Sequence, residues 1–468
     1  MPAWRWTVSQ PFRAHVLVCT QEKPDRTPCC ATAGARQVLE ALQDEVERAG
    51  VSGEVLVTTC GCLGVCERGP NVVVYPEGRW YTQVKPGDVP GIVREHVIAG
   101  RPLENRADPD AATLRAEATA HHSKVQKMFA ARAAAGALPD ETEALLRSFQ
   151  PSRALLTAIE LDVFTAVHAS GEMGAEAADV AERTGTRVRG VTALLDALTS
   201  MGYLAKHAGR YRNGPVADTH LRAGAPHDAR TALLHYVTLW QRWSTLTECV
   251  RRGTTLLERE MKERGDDWNE PFIAAMQRNA AFRAPVVIGA LDLAGVRRVL
   301  DVGGGSGAYA AAFVRAAPAL EVTVLDLPSV TPLTRRYLTG GGAGNRVHIV
   351  DGDFRTDALG TNFDLVLLSA ICHMNGPEEN VALLRKAHAA LVPGGRVVVH
   401  DFVQDDDKAG PRSGALFALN MLVGTPQGSS YSGAEYIAWL TRAGFATPHT
   451  VTLPGPTDLV VAMRPAGR

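Results

Sequence analysis

The sequence has few of the features that mark membrane, disordered or polyanion-binding proteins. None of its 468 residues lies in an apolar run approaching the ~20 residues of a membrane helix, and MPAWRWTVSQPFRAH does not resemble a signal peptide. Lys and Arg number 49 against 50 Asp and Glu, so the net charge of -1 disfavours nucleic-acid binding through bulk electrostatics. With 46% hydrophobic and 21% charged residues the composition is that of a folded chain, which we expect to be cytoplasmic.

Cysteine is scarce after residue 66. Six of the 8 cysteines precede that point, and only Cys249 and Cys372 follow it. Because cytosolic thiols are normally kept reduced, such clustering indicates a metal or redox site rather than disulfides. The sequence therefore predicts an N-terminal metal-binding region.

The N-terminal third predicts a small α/β domain followed by helix. HVLVC (15–19) and EVLVTT (54–59) are typical of strands, a helical stretch lies between them, and a β-hairpin over 71–84 follows. The alanine-rich, charged residues 106–148 predict a helical linker. Within it, His121 and His122 are predicted to be solvated, because adjacent residues face different sides of a helix.

The remainder predicts a helical region and then a large sheet. Residues 177–214 follow a helix, turn, helix and β-wing pattern, for which DNA binding is the default interpretation. From Arg298 onward strands and helices alternate, which predicts a parallel sheet with helices on both faces and a terminal antiparallel hairpin at its edge.

A glycine-rich turn, DVGGGSG (301–307), follows the first of these strands and opens a helix. Its backbone N–H groups and the helix N-terminus would face one ligand. The turn alone does not separate a nicotinamide cofactor from S-adenosylmethionine (SAM). Asp326 ends the next strand, where a carboxylate can accept ribose hydroxyls, and Asp353 ends the one after it, beside Phe354, where it can accept an adenine amino group.

These residues together resemble the class I SAM-dependent methyltransferases. The stretch SAICHMNGPEENVALLRKAHAALVPGGRVVVHDF resembles the segment of the small-molecule O-methyltransferases that carries the catalytic histidine. The resemblance extends from about Phe149 to the C-terminus and implies a homodimer, since the winged-helix-like region of that family serves dimerisation. It places His373 at the catalytic base and Asp401 at an acidic position near it. The cofactor-binding positions that it implies are Asp301, Gly303, Gly305, Gly307, Asp326, Asp353, Phe354, Ser369 and Met276.

Two positions depart from the family pattern. Met374 follows the histidine where Asp is common, and Ser430 stands where plant members carry a second catalytic acid. The same fold hosts carbon methyltransferases and enzymes that keep SAM for its charge. C-methylation and a SAM-binding hydroxylase or decarboxylase therefore stay open, beside a redox-sensing DNA-binding regulator that the neutral charge disfavours.

Four of the clustered cysteines, Cys19, Cys30, Cys62 and Cys66, supply the thiolates that a two-iron cluster requires, although four sulfurs equally take zinc. The segment GCLGVCERGPNVVVYPEGRWYTQVKPGDV resembles the thioredoxin-like 2Fe-2S ferredoxins, over about residues 13–105. That family's motif continues from its cysteine into Ala and a Gly-led helix, which favours Cys30 over Cys29, and the spacing to Cys66 favours Cys62 over Cys60. A metal-free domain is the remaining alternative.

The predicted fold is α/β throughout, in four segments. They are a thioredoxin-like 2Fe-2S ferredoxin domain (13–105), a helical linker (106–148), a winged-helix-like dimerisation domain (149–245) and a Rossmann-like methyltransferase domain (246–468). The predicted activity is SAM-dependent O-methylation of a small aromatic or polyketide-type hydroxylated metabolite, with His373 as general base. The cluster would transfer electrons to or from a redox partner, sense redox state or stabilise its domain, and no nucleic-acid or membrane partner is expected.

Overall fold

The computed structural model of the protein describes residues 11–23, 27–104, 110–257, 266–339 and 344–466. The chain divides into two compact units, the first ending at Leu146 and the second beginning at Arg147. The first residues of the predicted linker, 106–109, lie outside the described ranges. Within those ranges, no helix has the length and apolar character needed to cross a membrane.

The first unit is built on a four-stranded mixed sheet. Its elements are β1 (Ala14–Cys19), α1 (Ala35–Arg48), β2 (Val55–Cys60), β3 (Val72–Tyr75), β4 (Arg79–Tyr81), α2 (Val89–Gly91) continued by a π-helix (Ile92–Ile98), α3 (Ala111–Ala134) and α4 (Asp140–Arg147). The strand order is β2-β1-β3-β4, with β1 parallel to β2 and antiparallel to β3. A parallel pair needs a crossover connection, which α1 supplies, and its Val38 and Leu42 pack on Val16 and Val18 of β1.

Helix α3, predicted as a linker, lies against the loop that carries the last two clustered cysteines. Asp110 caps its N-terminus by accepting the amides of Ala112 and Thr113. A Cβ on Gly64 would come within 2.9 Å of the Ala118 Cα, so only glycine allows the loop this close to the helix. The first half of α3 is therefore part of the N-terminal fold.

The second unit begins with helices and one small hairpin. These elements are α5 (Phe149–Glu160), α6 (Val163–His168), α7 (Ala177–Thr184), α8 (Val188–Ser200), β5 (Leu204–His207), β6 (Arg210–Asn213), α9 (Arg230–Trp243), α10 (Leu246–Arg252) and α11 (Asp266–Gly289). The hairpin β5–β6 is antiparallel and follows α7 and α8, as the winged-helix pattern predicts. Phe164, Leu195 and Leu198 are fully buried in the core of these helices.

A seven-stranded sheet with helices on both faces forms the rest of the second unit. Its elements are β7 (Arg298–Val302), α12 (Ala308–Ala316), β8 (Glu321–Asp326), α13 (Thr331–Thr339), β9 (Val347–Asp351), β10 (Phe363–Ser369), α14 (Pro377–Ala390), β11 (Leu391–Asp401), β12 (Val403–Gln404), α15 (Arg412–Gly424), β13 (Tyr431–Ser432), α16 (Gly433–Arg442), β14 (Ala446–Val451) and β15 (Asp458–Met463). The order is β14-β15-β11-β10-β7-β8-β9; β12 and β13 pair separately. Strands β7 to β11 are parallel, and the predicted antiparallel hairpin at the edge, β14–β15, is confirmed.

The carboxyl ends of the parallel strands bring the predicted site residues to one edge of the sheet. Asp301 lies in β7, Asp326 ends β8 and Asp401 ends β11. Ligands of open parallel sheets bind outside these carboxyl ends. The register of β10 on β11, which pairs Ser369 with His400, places the residues after both strands side by side.

Candidate active site

A buried histidine and aspartate meet where β10 and β11 end. His373 lies in a single 3-10 turn, Cys372–Met374, directly after β10. Its Nδ1 lies 2.6 Å from the Oδ1 of Asp401, and its backbone N–H donates to Oδ2 at 3.1 Å. An ionised carboxylate only accepts, so Nδ1 carries the proton and Nε2 keeps a free lone pair. This arrangement leaves the outer nitrogen of the ring able to take a proton.

The environment of Asp401 keeps it ionised. Burial acts to raise the pKa of this carboxyl, but the contacts with His373 and the amide of Phe402 outweigh it and lower the pKa. Phe402 N–H donates at 2.9 Å and the Tyr436 hydroxyl at 3.3 Å. Asp401 is thus a fixed acceptor that orients the imidazole.

An aromatic wall stands beside the histidine. The Phe417 ring lies edge-on to His373 with centroids 4.8 Å apart, and Phe402 stacks on Phe417 at 4.0 Å. The guanidinium of Arg283 lies 5.3 Å from the Phe402 ring centroid. Such rings suit a planar apolar ligand. Sequence reasoning missed them, because nothing in the apolar run of α15 separates Phe417 from a core residue.

Neither of the two positions that depart from the family pattern places an acidic side chain beside the histidine. Met374 packs against the hydrophobic core. Ser430 is buried, and its Oγ has no hydrogen-bond partner among the described residues. The preceding Ser429 N–H donates to the His373 carbonyl at 2.9 Å, and a Cβ on Gly428 would lie 2.3 Å from the same oxygen. This segment holds the backbone of His373 by close contact.

The glycine turn wraps around Asp326. Gly303, Gly305 and Gly307 all have positive φ, of 64°, 57° and 78°. The Gly305 N–H donates to Asp326 Oδ2 at 2.7 Å, and the Leu327 N–H donates to Oδ1 at 2.7 Å. Burial raises the pKa of Asp326 to about 6. The turn and this carboxylate therefore form one cradle.

Asp301, beneath the turn, has two buried carboxylate oxygens with no hydrogen-bond partner in the described structure. Burial, and then the charge of Asp326, raise its pKa to about 7, against a smaller opposing effect of the Ala310 amide. A buried acid with so few donors is costly unless a ligand supplies more. A glycine cradle with an unpaired carboxylate fits SAM, which carries ribose hydroxyls and an ammonium group.

The other predicted cofactor positions differ in their surroundings. Asp353 accepts two hydrogen bonds from the Arg355 guanidinium, at 3.0 and 2.8 Å, and one from the Arg355 backbone N–H at 3.0 Å. Phe354 packs on the core beside Gly303. Ser369 Oγ lies 2.9 Å from His400 Nδ1, and Met276 is partly buried against alanines of α9 and α11. Asp353 is thus engaged with its own neighbour, whereas Phe354 borders the cradle.

In the first unit the four predicted cysteine ligands form two thiol pairs. Cys19 and Cys30 are hydrogen-bonded to each other, and this contact lowers the pKa of Cys19 to about 6. The sulfurs of Cys62 and Cys66 lie 3.4 Å apart. The amide of Leu63, within the second pair's loop, bonds to the Cys19 sulfur and so brings the pairs together. Two pairs of thiols fit a cluster of two irons.

The spare cysteines have other neighbours. The Cys29 sulfur lies 3.3 Å from the Thr32 hydroxyl, and Cys60 packs half-buried against Cys19 and Cys30. The Asn71 amide donates to the Cys30 sulfur at 3.3 Å.

The prediction that both linker histidines are solvated is wrong for His121. Its Nε2 lies 3.6 Å from the Cys62 sulfur and 3.1 Å from Lys23 Nζ, whereas His122 is exposed. His121 has these neighbours because α3 packs against the loop that carries Cys62 and Cys66. Cys62, Cys66 and His121 together could hold a metal ion, so the zinc alternative has a donor set as well.

Comparison with known proteins gives a consistent result for the second unit. The family model described as the O-methyltransferase domain matches residues 250–446, and the O-methyltransferase dimerisation domain matches 143–223. The tetracenomycin polyketide synthesis 8-O-methyl transferase TcmO of Streptomyces glaucescens is 33% identical over 70% of this chain and 97% of that protein. The 3-hydroxy-5-methyl-1-naphthoate 3-O-methyltransferase of Streptomyces sahachiroi is 36% identical over 67% of this chain and 92% of that protein. The solved structure of PigF with SAH has a TM-score of 0.64 at 28% identity, covering 70% of this chain and 99% of that one.

Proposed function

Because the chain belongs to the O-methyltransferase family and is a SAM-dependent O-methyltransferase, we propose that it methylates a phenolic hydroxyl of a small aromatic or polyketide-type metabolite. The two Streptomyces relatives act on molecules of this type, as their names state. The aromatic wall of Phe402 and Phe417 beside His373 supports the same substrate class.

The observation that carries the proposal is the buried His373–Asp401 pair. Nε2 of His373 accepts the proton of the substrate hydroxyl, while Asp401 stabilises the imidazolium that forms. The phenolate oxygen is then the nucleophile of an in-line displacement. SAM supplies the electrophilic methyl group when it is bound.

We assign the cofactor to the glycine cradle. The turn at Gly303, Gly305 and Gly307 would hold its carboxyl-bearing end through backbone N–H groups. Asp301 would accept from its ammonium group and Asp326 from its ribose. Asp353, Phe354, Ser369 and Met276 complete the proposed set, in which Asp353 must exchange its Arg355 contact to take up an adenine.

The test is product formation by wild-type protein and His373→Ala on a panel of phenols and their O-blocked analogues, with SAH release and mass of product measured. We expect methylation of the free phenols and a loss of 10²-fold or more in His373→Ala. His449→Ala, at an exposed histidine, is the matched control. Methylation of O-blocked analogues would assign carbon methylation, and oxygen-dependent products without SAH would assign the hydroxylase or decarboxylase alternative.

For the first unit we propose a thioredoxin-like ferredoxin fold with a 2Fe-2S cluster held by Cys19, Cys30, Cys62 and Cys66. The strand order β2-β1-β3-β4 and the pairing of the four thiols support it. The cluster supplies one-electron redox chemistry when it is bound, and it would exchange electrons with a redox partner.

The oligomeric state and location complete the proposal. A homodimer through the region that matches the dimerisation domain, 143–223, accounts for the winged-helix pattern without DNA binding. A reducing cytoplasm suits a chain with eight free cysteines.

A further inference from the structure

A lysine lies between the cysteine loop and helix α3, in a place that the methyltransferase chemistry does not use. Lys23 Nζ donates to the Cys66 sulfur at 2.9 Å and lies 3.1 Å from His121 Nε2. We propose that Lys23 donates a charged hydrogen bond to the Cys66 thiolate of the proposed cluster and raises its reduction potential, with His121 orienting the ammonium group. The inference rests on the cluster proposed above.

The direction of the Lys23–His121 hydrogen bond follows from the groups. An ammonium group has three donors and no acceptor, so His121 Nε2 must be the acceptor. The lone pair of Nε2 therefore faces Lys23, and the proton of the ring is on Nδ1.

Lys23 brings an ammonium group within hydrogen-bond distance of the Cys66 sulfur. In the described structure, Lys23 is the cation next to the sulfurs of Cys62 and Cys66. In the other pair, the Cys30 sulfur accepts a hydrogen bond from the neutral side-chain amide of Asn71.

Helix α3 holds His121 rigidly. Arg68, two residues after Cys66, forms a bidentate ion pair with Glu117 of α3, with distances of 2.9 and 2.8 Å. One residue further along, Ala118 meets Gly64 in close contact. Both contacts lie within one turn of His121, so the helix sets where its imidazole lies. His121 is a positioning residue that acts through Lys23.

Charge explains the effect on potential. Reduction by an external reductant adds one electron and no proton to the cluster, so the reduced state is more negative by one charge. A fixed cation and an N–H···S hydrogen bond stabilise that state more than the oxidised one. Because Lys23 is partly buried, solvent and salt screen the interaction less than they would at an open surface.

The test is a redox titration of the full-length protein, reconstituted anaerobically with iron and sulfide. Dithionite and redox mediators set the solution potential, and absorbance reports the oxidation state of the cluster. At the wild-type midpoint potential, Lys23→Met is expected to lower the ratio of reduced to oxidised cluster about tenfold. For a one-electron couple this corresponds to a midpoint potential lower by ~59 mV. Lys23→Arg keeps the charge and should stay within about threefold of wild type. Lys127→Met is the matched control at an exposed lysine of α3.

A double-mutant cycle tests the role of His121. His121→Phe should shift the potential in the same direction as Lys23→Met, by less, and should add nothing in the Lys23→Met background. His122→Phe, at the exposed neighbour, is the control.

The outcomes separate this inference from the proposal beneath it. Wild-type protein that takes up no iron, or binds zinc in its place, overturns both. A loaded cluster whose potential is the same in Lys23→Met and wild type overturns only the role of Lys23. Loss of iron from His121→Phe but not from Lys23→Met would make His121 a ligand and overturn its positioning role. Iron per chain in each variant shows whether a shift comes from a damaged site, and Lys23→Gln serves if Lys23→Met does not fold.

Discussion

The Nδ1 atom of His373 lies 2.6 Å from the Oδ1 atom of Asp401, although 28 residues separate them in the chain. His373 follows β10, Asp401 is the last residue of the adjacent parallel strand β11, and the pair is buried. The carboxylate selects one tautomer of the imidazole and leaves Nε2 able to accept a proton, in a ring that also contacts Phe417. No acid at position 374 or 430 is needed for this orientation, which accounts for Met374 and Ser430.

Replacing the carboxylate should remove most of the base catalysis. Asp401→Asn presents an amide whose N–H₂ can donate to Nδ1, which would move the ring proton to Nε2 and block proton acceptance. We expect kcat/KM to fall by 10²-fold to 10⁴-fold with SAH binding retained, measured by SAH release and calorimetry. Tyr436→Phe removes one weak donor, at 3.3 Å, and should cost less than about tenfold. An Asp401→Asn enzyme within tenfold of wild type would contradict the pairing role.

The unpaired carboxylate of Asp301 predicts opposite effects on stability and binding. Its pKa is raised from 3.8 to about 7, so between these values the folded protein binds more protons than the unfolded chain. Stability of the free protein should therefore fall as pH rises through this window, by at most about 4 kcal/mol from this group, taking 1.36 kcal/mol per pKa unit. Asp301→Asn removes that penalty.

We expect Asp301→Asn to raise the thermal midpoint of the free protein at pH 8, with the difference from wild type shrinking toward pH 4. The same variant should bind SAH at least tenfold more weakly at pH 8, and wild-type affinity should decline below pH 7 as Asp301 takes up a proton. Differential scanning fluorimetry and calorimetry measure the two effects. A variant that is less stable than wild type at pH 8 would show that donors such as the Ala310 amide stabilise the ionised Asp301 in the free protein.

The positions of two candidate site residues could be predicted from the sequence because both residues end strands of the parallel sheet. Asp326 and Asp401 each end a predicted strand, and the carboxyl ends of parallel strands converge on one edge. The place of Phe417 could not be predicted, because it depends on how α15 packs over the sheet. That the oxygens of Asp301 lack partners is likewise a property of packing, which the glycine motif does not contain.

The surroundings of His121 show the same limit at the other end of the chain. Helical periodicity predicts α3 but not what it contacts. Its docking depends on Gly64 meeting Ala118 and on Arg68 meeting Glu117, contacts between segments about 50 residues apart. Composition made this segment resemble a solvated linker, and Leu114 is indeed the one residue of α3 that is buried.

The selection among the six N-terminal cysteines can be tested by serine variants. Cys62→Ser or Cys30→Ser should lower iron per chain by more than half after anaerobic reconstitution and weaken the visible absorbance, because each removes one of four thiolates. Cys29→Ser and Cys60→Ser are the controls, since the Cys29 sulfur faces Thr32 and Cys60 packs beside the first pair. Iron assay and absorption spectra give the result. If Cys60→Ser loses iron and Cys62→Ser retains it, Cys60 is the ligand in place of Cys62.

Dimerisation should depend on exposed apolar residues of the region that matches the dimerisation domain. Phe149, the first residue of α5, has 53% of its surface exposed and lies in the matched region, where we expect a second chain to cover it. Phe149→Asp should shift a dimer toward monomer and raise its dissociation constant at least tenfold, because burying an unpaired carboxylate at an interface is costly. Val350→Asp, at a residue 43% exposed on β9 and outside that region, should leave the dimer intact. Analytical ultracentrifugation over a dilution series measures both. A wild-type monomer at all concentrations, or an unchanged Phe149→Asp dimer, would place the interface elsewhere or remove it.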